Sequence, residues 1–130
     1  METANSITVH SDFDTTVADV REALQEQGFG VITEIDVKET MATKLDVEYD
    51  HYLILGACNP SLAHRAIQAD DTIGTLLPCN VVVRQVGGDV VVEAVDPQLL
   101  VTATGQESLV PIADEAADRL GKVLQKLSAA

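Results

Sequence analysis

Ile7 and Val9 alternate with Thr8 and His10, the period-two pattern of a half-buried strand. Ser11-Asp12-Phe13-Asp14 then supplies carboxylates suited to capping a helix. Phe13, Val17, Val20 and Leu24 recur at spacings of three and four, which predicts a helix with one stripe on the core and Asp19, Glu22 and Glu26 in water. Gly28 supplies its left-handed stop. Phe29 to Val37 reads as a second strand. Asp36, three residues before Glu39, forms a capping-box pattern that opens a short helix from Val37 to about Leu45.

Tyr52 to Cys58 is apolar without alternation, as expected of a central strand covered on both sides. Asn59 is a good N-cap and Pro60 suits the first helical position, so a helix starts there and turns Leu62, Ala63, Ala66 and Ile67 inward until Asp70. Val81 to Val86 and Val90 to Val95, joined through Gly87-Gly88-Asp89, predict a tight antiparallel hairpin. A two-residue turn at Gly88-Asp89, the expected register, sets Arg84 directly opposite Glu93; a turn at Gly87-Gly88 offsets them. Leu99 to Val101 predicts a turn of helix. A last helix begins near Ser108, accepts Pro111 in its first turn, and carries Leu109, Ile112, Ala116, Leu120, Val123 and Leu127 on one stripe.

Composition narrows the class. With 46% hydrophobic and 22% charged residues, the 130-residue chain predicts a folded single domain over residues 1–130 with its core between 7 and 127. Eight basic residues against 21 acidic ones give a formal net charge of -13, which repels phosphates and argues against a nucleic-acid partner. No apolar run approaches the roughly 20 residues that span a bilayer, and Met1 to Asn5 lacks a basic, apolar signal start, so no membrane partner and a cytoplasmic location are expected. So acidic a surface repels itself in dilute buffer and is screened within about 3 Å at 1 M salt, which points to a high-salt cytoplasm.

The segments Ile54-Leu55-Gly56-Ala57-Cys58-Asn59-Pro60 and Leu76-Leu77-Pro78-Cys79-Asn80-Val81, with the Leu62-Ala63-His64-Arg65-Ala66 helix and the valine hairpin, resemble the bacterial and archaeal family named domain of unknown function 302, from about Ile7 to Leu127. The resemblance implies an α+β fold similar to the TATA-binding-protein-like class: a curved, mainly antiparallel sheet with helices mainly on one face, often a homodimer. It implies no catalytic residues, and fold analogy does not import DNA binding.

Candidate chemistry centres on the two Cys-Asn pairs. Cys58 precedes a helix cap, where the helix dipole can favour a thiolate; Cys79 is a possible partner thiol and His64 a possible base. The plainer reading makes Cys58 a small hydrophobe closing a buried strand, with Asn59 as cap and Asn80 pinning a loop. Asn59 and Asn80 are the ligand-binding candidates. Two cysteines cannot make a Cys-only zinc site, and Cys58, Cys79 and His64 lack a fourth ligand, so no metal is expected. Asp46, Glu48 and Asp50 alternate, but without the glycine and spacing of a calcium loop they read as a solvated lead-in, and His10 and His51 read as exposed.

The strands carry apolar residues on successive positions, and helices on one face would leave the other bare. A second copy of the chain is the expected cover; an apolar small molecule, or a cofactor such as haem, is the runner-up. Three readings follow: a homodimeric module binding a small ligand or a protein, a thiol-dependent enzyme or redox protein using Cys58, and a purely structural acidic dimer. The first is preferred, which makes an enzyme the less expected outcome.

Overall fold

The computed structural model describes residues 4–129. Five strands, β1 (Ala4–Val9), β2 (Gly30–Asp36), β3 (Tyr52–Cys58), β4 (Cys79–Val86) and β5 (Asp89–Val95), form one antiparallel sheet in the order β1-β5-β4-β3-β2. Five helices accompany it: α1 (Phe13–Glu26), α2 (Val37–Leu45), α3 (Pro60–Ala69), α4 (Leu99–Thr104) and α5 (Val110–Ala129). No helix among the described residues is long and apolar enough to cross a membrane.

α1, α2 and α3 start where short polar side chains take up orphan N–H groups. Asp12 accepts from the Thr15 backbone N–H at 2.7 Å and from its hydroxyl at 2.8 Å, bonds that hold this exposed carboxyl below its usual pKa. Asp36 caps α2 through the Glu39 N–H, and Asn59 caps α3 through the Leu62 N–H at 3.2 Å. After α1 the chain turns at Gly28, whose φ of 82° is a conformation that costs glycine little.

α1 and α5 pack on one face of the sheet. Val20 and Leu24 of α1 and Leu120, Val123 and Leu127 of α5 meet Leu53, Leu55, Val81, Val83, Val90 and Val92 there. A second cluster joins Leu62 and Ala66 of α3, Leu100 of α4, and Ile112 and Ala116 of α5, with Ile73 from the 3₁₀ turn Ile73–Leu76 and Leu109 from a second 3₁₀ turn. α5 therefore serves two cores, its first half one and its second half the other. The alternate residues of the sheet, among them Ile54, Val82, Val91 and Val95, face the opposite side and remain half-exposed.

Three expectations are corrected. Val86 pairs with Asp89, so the hairpin turns at Gly87-Gly88, with Gly87 at φ 60°; Arg84 lies opposite Val91, not Glu93. A two-residue shift keeps every side chain on its face, so the hydrophobic pattern could not choose between registers; the glycine at the first turn position, where positive φ is needed, did. Ile67, expected inward, is 46% exposed because α3 buries only the Leu62–Ala66 edge. The helix expected from Ser108 is delayed: Glu107–Leu109 forms the second 3₁₀ turn and α5 begins at Val110.

Candidate functional site

A pocket of ≈ 300 Å³ opens where the two cores meet. Phe29 and Ala57 wall it from the sheet side, Leu62 and Ala66 from α3, Leu100 from α4, and Ile112 and Ala116 from α5. Leu77 and Pro78, which precede β4, also line it. The space exists because Ala57, Ala63, Ala66 and Ala116 stand on facing apolar stripes where larger side chains would close it.

Three of the five candidate residues read from the sequence converge here: Cys58, Asn59 and Cys79 all line the pocket. β3 and β4 are hydrogen-bonded neighbours with Ala57 opposite Cys79, so Cys58 stands one residue from Cys79's cross-strand partner. Both cysteines are free thiols and half-buried. Desolvation, and secondarily the nearby Cys58, push the Cys79 thiol up to about 11, so at neutral pH it is protonated and a poor nucleophile. Asn59 spends its Oδ1 on the α3 cap, and its Nδ2 lies over the bare Cα of Gly28: a Cβ there would sit 3.0 Å from it.

The other two candidates lie elsewhere. His64 is exposed on α3, about 200° around the helix from Leu62, and is no part of the pocket wall, so it is not placed as a base for Cys58. Asn80 is exposed on β4 opposite Gly56; among the described residues its side chain has no hydrogen-bond partner, so it does not pin a loop. Asp46, Glu48 and Asp50 are exposed, and Asp46 is the left-handed C-cap of α2 rather than part of an extended row. No three His, Cys, Asp or Glu side chains among the described residues are grouped to hold a metal ion. His10 pairs with Asp89 at 2.7 Å, and His51 stacks on Phe13 with ring centroids 4.6 Å apart.

A clamp beside the pocket was not legible in the sequence. Glu115 of α5 takes Arg65 of α3 at 3.2 Å and Arg119 of α5 at 3.2 Å, and these hydrogen bonds, Arg65's foremost, hold its carboxyl below the usual carboxylate range. Arg119 also donates Nη1 to the Gln27 carbonyl at 3.0 Å. The group ties α3 to α5 and α5 to the turn after α1. Arg65 and Glu115 are 50 residues apart, which no local pattern reports.

Fold and pocket together define a small α+β domain: an open antiparallel sheet, helices packed against one face, and an apolar pocket at one end. The chain belongs to the family described as domain of unknown function DUF302, whose model matches residues 5–127. Among solved structures it is similar to that of an uncharacterised conserved DUF302 protein from Bacillus stearothermophilus, at 27% identity and a TM-score of 0.90, covering 98% of this chain and 99% of that one. No curated protein matches the sequence.

Proposed function

We propose that the chain is a homodimeric binding module that takes a small apolar molecule into the pocket between the end of the sheet and α3. The observation that carries this reading is the wall itself. It has the volume of a small-molecule site, and Asn59 and the two thiols are the polar side chains in it. A sugar, phosphate or amino acid would lose its hydration there without replacement hydrogen bonds, whereas a hydrocarbon would join the two cores. The volume suits a ligand smaller than a haem macrocycle.

The second copy covers the other side of the sheet, where Ile54, Val82, Val91 and Val95 are half-exposed around the Arg84–Glu93 ion pair. Arg84 and Glu93 offset one another there, and Asp89 on the same face is paired with His10, so that face carries little of the chain's net charge of -13, which makes it a tolerable place for two copies to meet. The same charge supports a high-salt cytoplasm as the setting.

Fluorescence of an apolar dye, displaced by a series of linear alcohols of increasing length, tests the pocket. Saturable binding that tightens with each methylene and is lost in Ala66→Leu and Ala116→Leu supports the reading. Binding unchanged in both filled variants, with folding preserved by circular dichroism, overturns it.

A further inference from the structure

Gly28 leaves a space beside its bare Cα that two hydrogen-bond donors border: a Cβ there would stand 3.0 Å from Asn59 Nδ2 and 3.7 Å from Arg119 Nη1. The space lies at the rim of the apolar pocket. Asn59 is part of the pocket wall, as are Phe29, which follows Gly28, and Ala116, three residues before Arg119 on α5. Because Asn59 Oδ1 accepts the Leu62 N–H, Nδ2 is the atom left on the Gly28 side, and it has no hydrogen-bond partner among the described residues. Arg119 gives Nε to Glu115 and one N–H of Nη1 to the Gln27 carbonyl; the other N–H groups of its five-donor fork have no acceptor there. Glu115 is shared with Arg65, so two guanidiniums meet one carboxylate and the cluster carries a surplus positive charge, on a chain whose net charge is -13.

We propose that the pocket's ligand is a straight-chain carboxylic acid, bound with its hydrocarbon tail in the apolar cavity and its carboxylate at the rim between the Asn59 amide and the Arg119 guanidinium. This rests on the apolar-ligand reading above and names the head group which that reading leaves open. An ionised carboxylate only accepts hydrogen bonds, and the free groups at the rim only donate them. Its single charge matches the surplus on the arginine cluster, and charge-assisted bonds to Arg119 replace the hydration it gives up. The second charge of a phosphate would find no such match and would add to the repulsion from an acidic chain.

The test is calorimetric titration of the full chain at neutral pH with octanoate, octanol and octyl phosphate. The wild-type chain is expected to bind octanoate and octanol, and octyl phosphate more weakly than octanoate. Arg119→Gln and Asn59→Asp, the second of which keeps a capping oxygen for α3, are each expected to weaken octanoate about tenfold while moving octanol less than about twofold. In variants that circular dichroism shows to be folded, octanoate held as tightly as by the wild-type chain, or octanoate and octanol weakened in step, overturns the carboxylate site and leaves the apolar pocket standing. Wild-type binding of octanol without octanoate does the same, and octyl phosphate bound more tightly than octanoate overturns the choice of head group. A wild-type chain that binds none of the three overturns this inference and the apolar-ligand reading together.

Discussion

Arg84 Nε reaches Glu93 Oε1 at 2.6 Å although the two residues are not cross-strand partners: Arg84 pairs with Val91, and Glu93 lies two residues further along β5. The bond is diagonal, and the length of the arginine side chain allows it. The proposed dimer, formed through this face, would have the pair in its seam. Arg84→Glu places like charges on that face and is expected to give a monomer by sedimentation velocity, while the double exchange Arg84→Glu with Glu93→Arg restores the dimer. A wild-type chain that sediments as a monomer at all concentrations would remove the dimer. Within one protomer the pair is partly exposed, so Arg84→Ala should cost only about 0.2–1 kcal/mol in urea unfolding.

Gly56 is buried in β3 for want of space. A Cβ there would collide with the Thr33 hydroxyl and come within 2.9 Å of the Pro78 ring. Gly56→Ala should lower the melting temperature clearly, and adding Thr33→Ala should recover part of the loss. Full stability in the single variant, measured by thermal unfolding, would show that the strands separate more freely than the packing implies.

Asn59 and Gly28 form a coupled pair. Removing the cap with Asn59→Ala should cost about 1 kcal/mol of unfolding free energy. Gly28→Ala should cost about 1–2 kcal/mol, because its φ of 82° disfavours an L side chain and the new methyl would press on the Asn59 amide. The double variant should therefore lose less than the sum of the two. Strict additivity in a double-mutant cycle would mean that they do not touch.

Cys79 carries the clearest pH signature. Its folded pKa is raised to about 11 from an ordinary 9.0, mainly because burial penalises the thiolate. The unfolded chain gives up this proton first. Stability from this group is therefore complete below about pH 9 and falls as pH rises toward 11, by about 1.4 kcal/mol per unit. Denaturant titration at pH 8, 9 and 10 should show that decline in the wild-type chain and a smaller one in Cys79→Ala. Iodoacetamide at pH 8 should modify Cys79 slowly in the folded chain and rapidly in denaturant; mass spectrometry of the peptides reads both.

The net charge of -13 makes the folded chain repel itself. Added potassium chloride should raise the melting temperature steadily from low salt to molar concentration. A flat response would show that the acidic surface costs the fold little and would remove the high-salt habitat.

Local signals carried far in this chain because each has a short physical range. Asp12, Asp36 and Asn59 cap helices within three residues of themselves, the strand Tyr52–Cys58 announced itself by an unbroken apolar run, and Asp89–Val95 by its valines. The site was only half legible. Cys58 and Cys79 stood out by composition, but nothing local placed His64 on the wrong side of α3 or joined Arg65 to Glu115.

What the amino-acid sequence determined by itself was the set of elements, their buried stripes and the surplus of apolar faces over helices to cover them, since periodicity and caps act between near neighbours. The tertiary structure alone decided the hairpin register, the placing of Cys58 and Cys79 along one pocket and the pocket between two cores. Those depend on how α3 and α5 seat against the sheet, and the alanines that leave the space are 50 residues apart between Ala66 and Ala116. Packing over such distances is set by the sum of many contacts, which no short stretch of chain records.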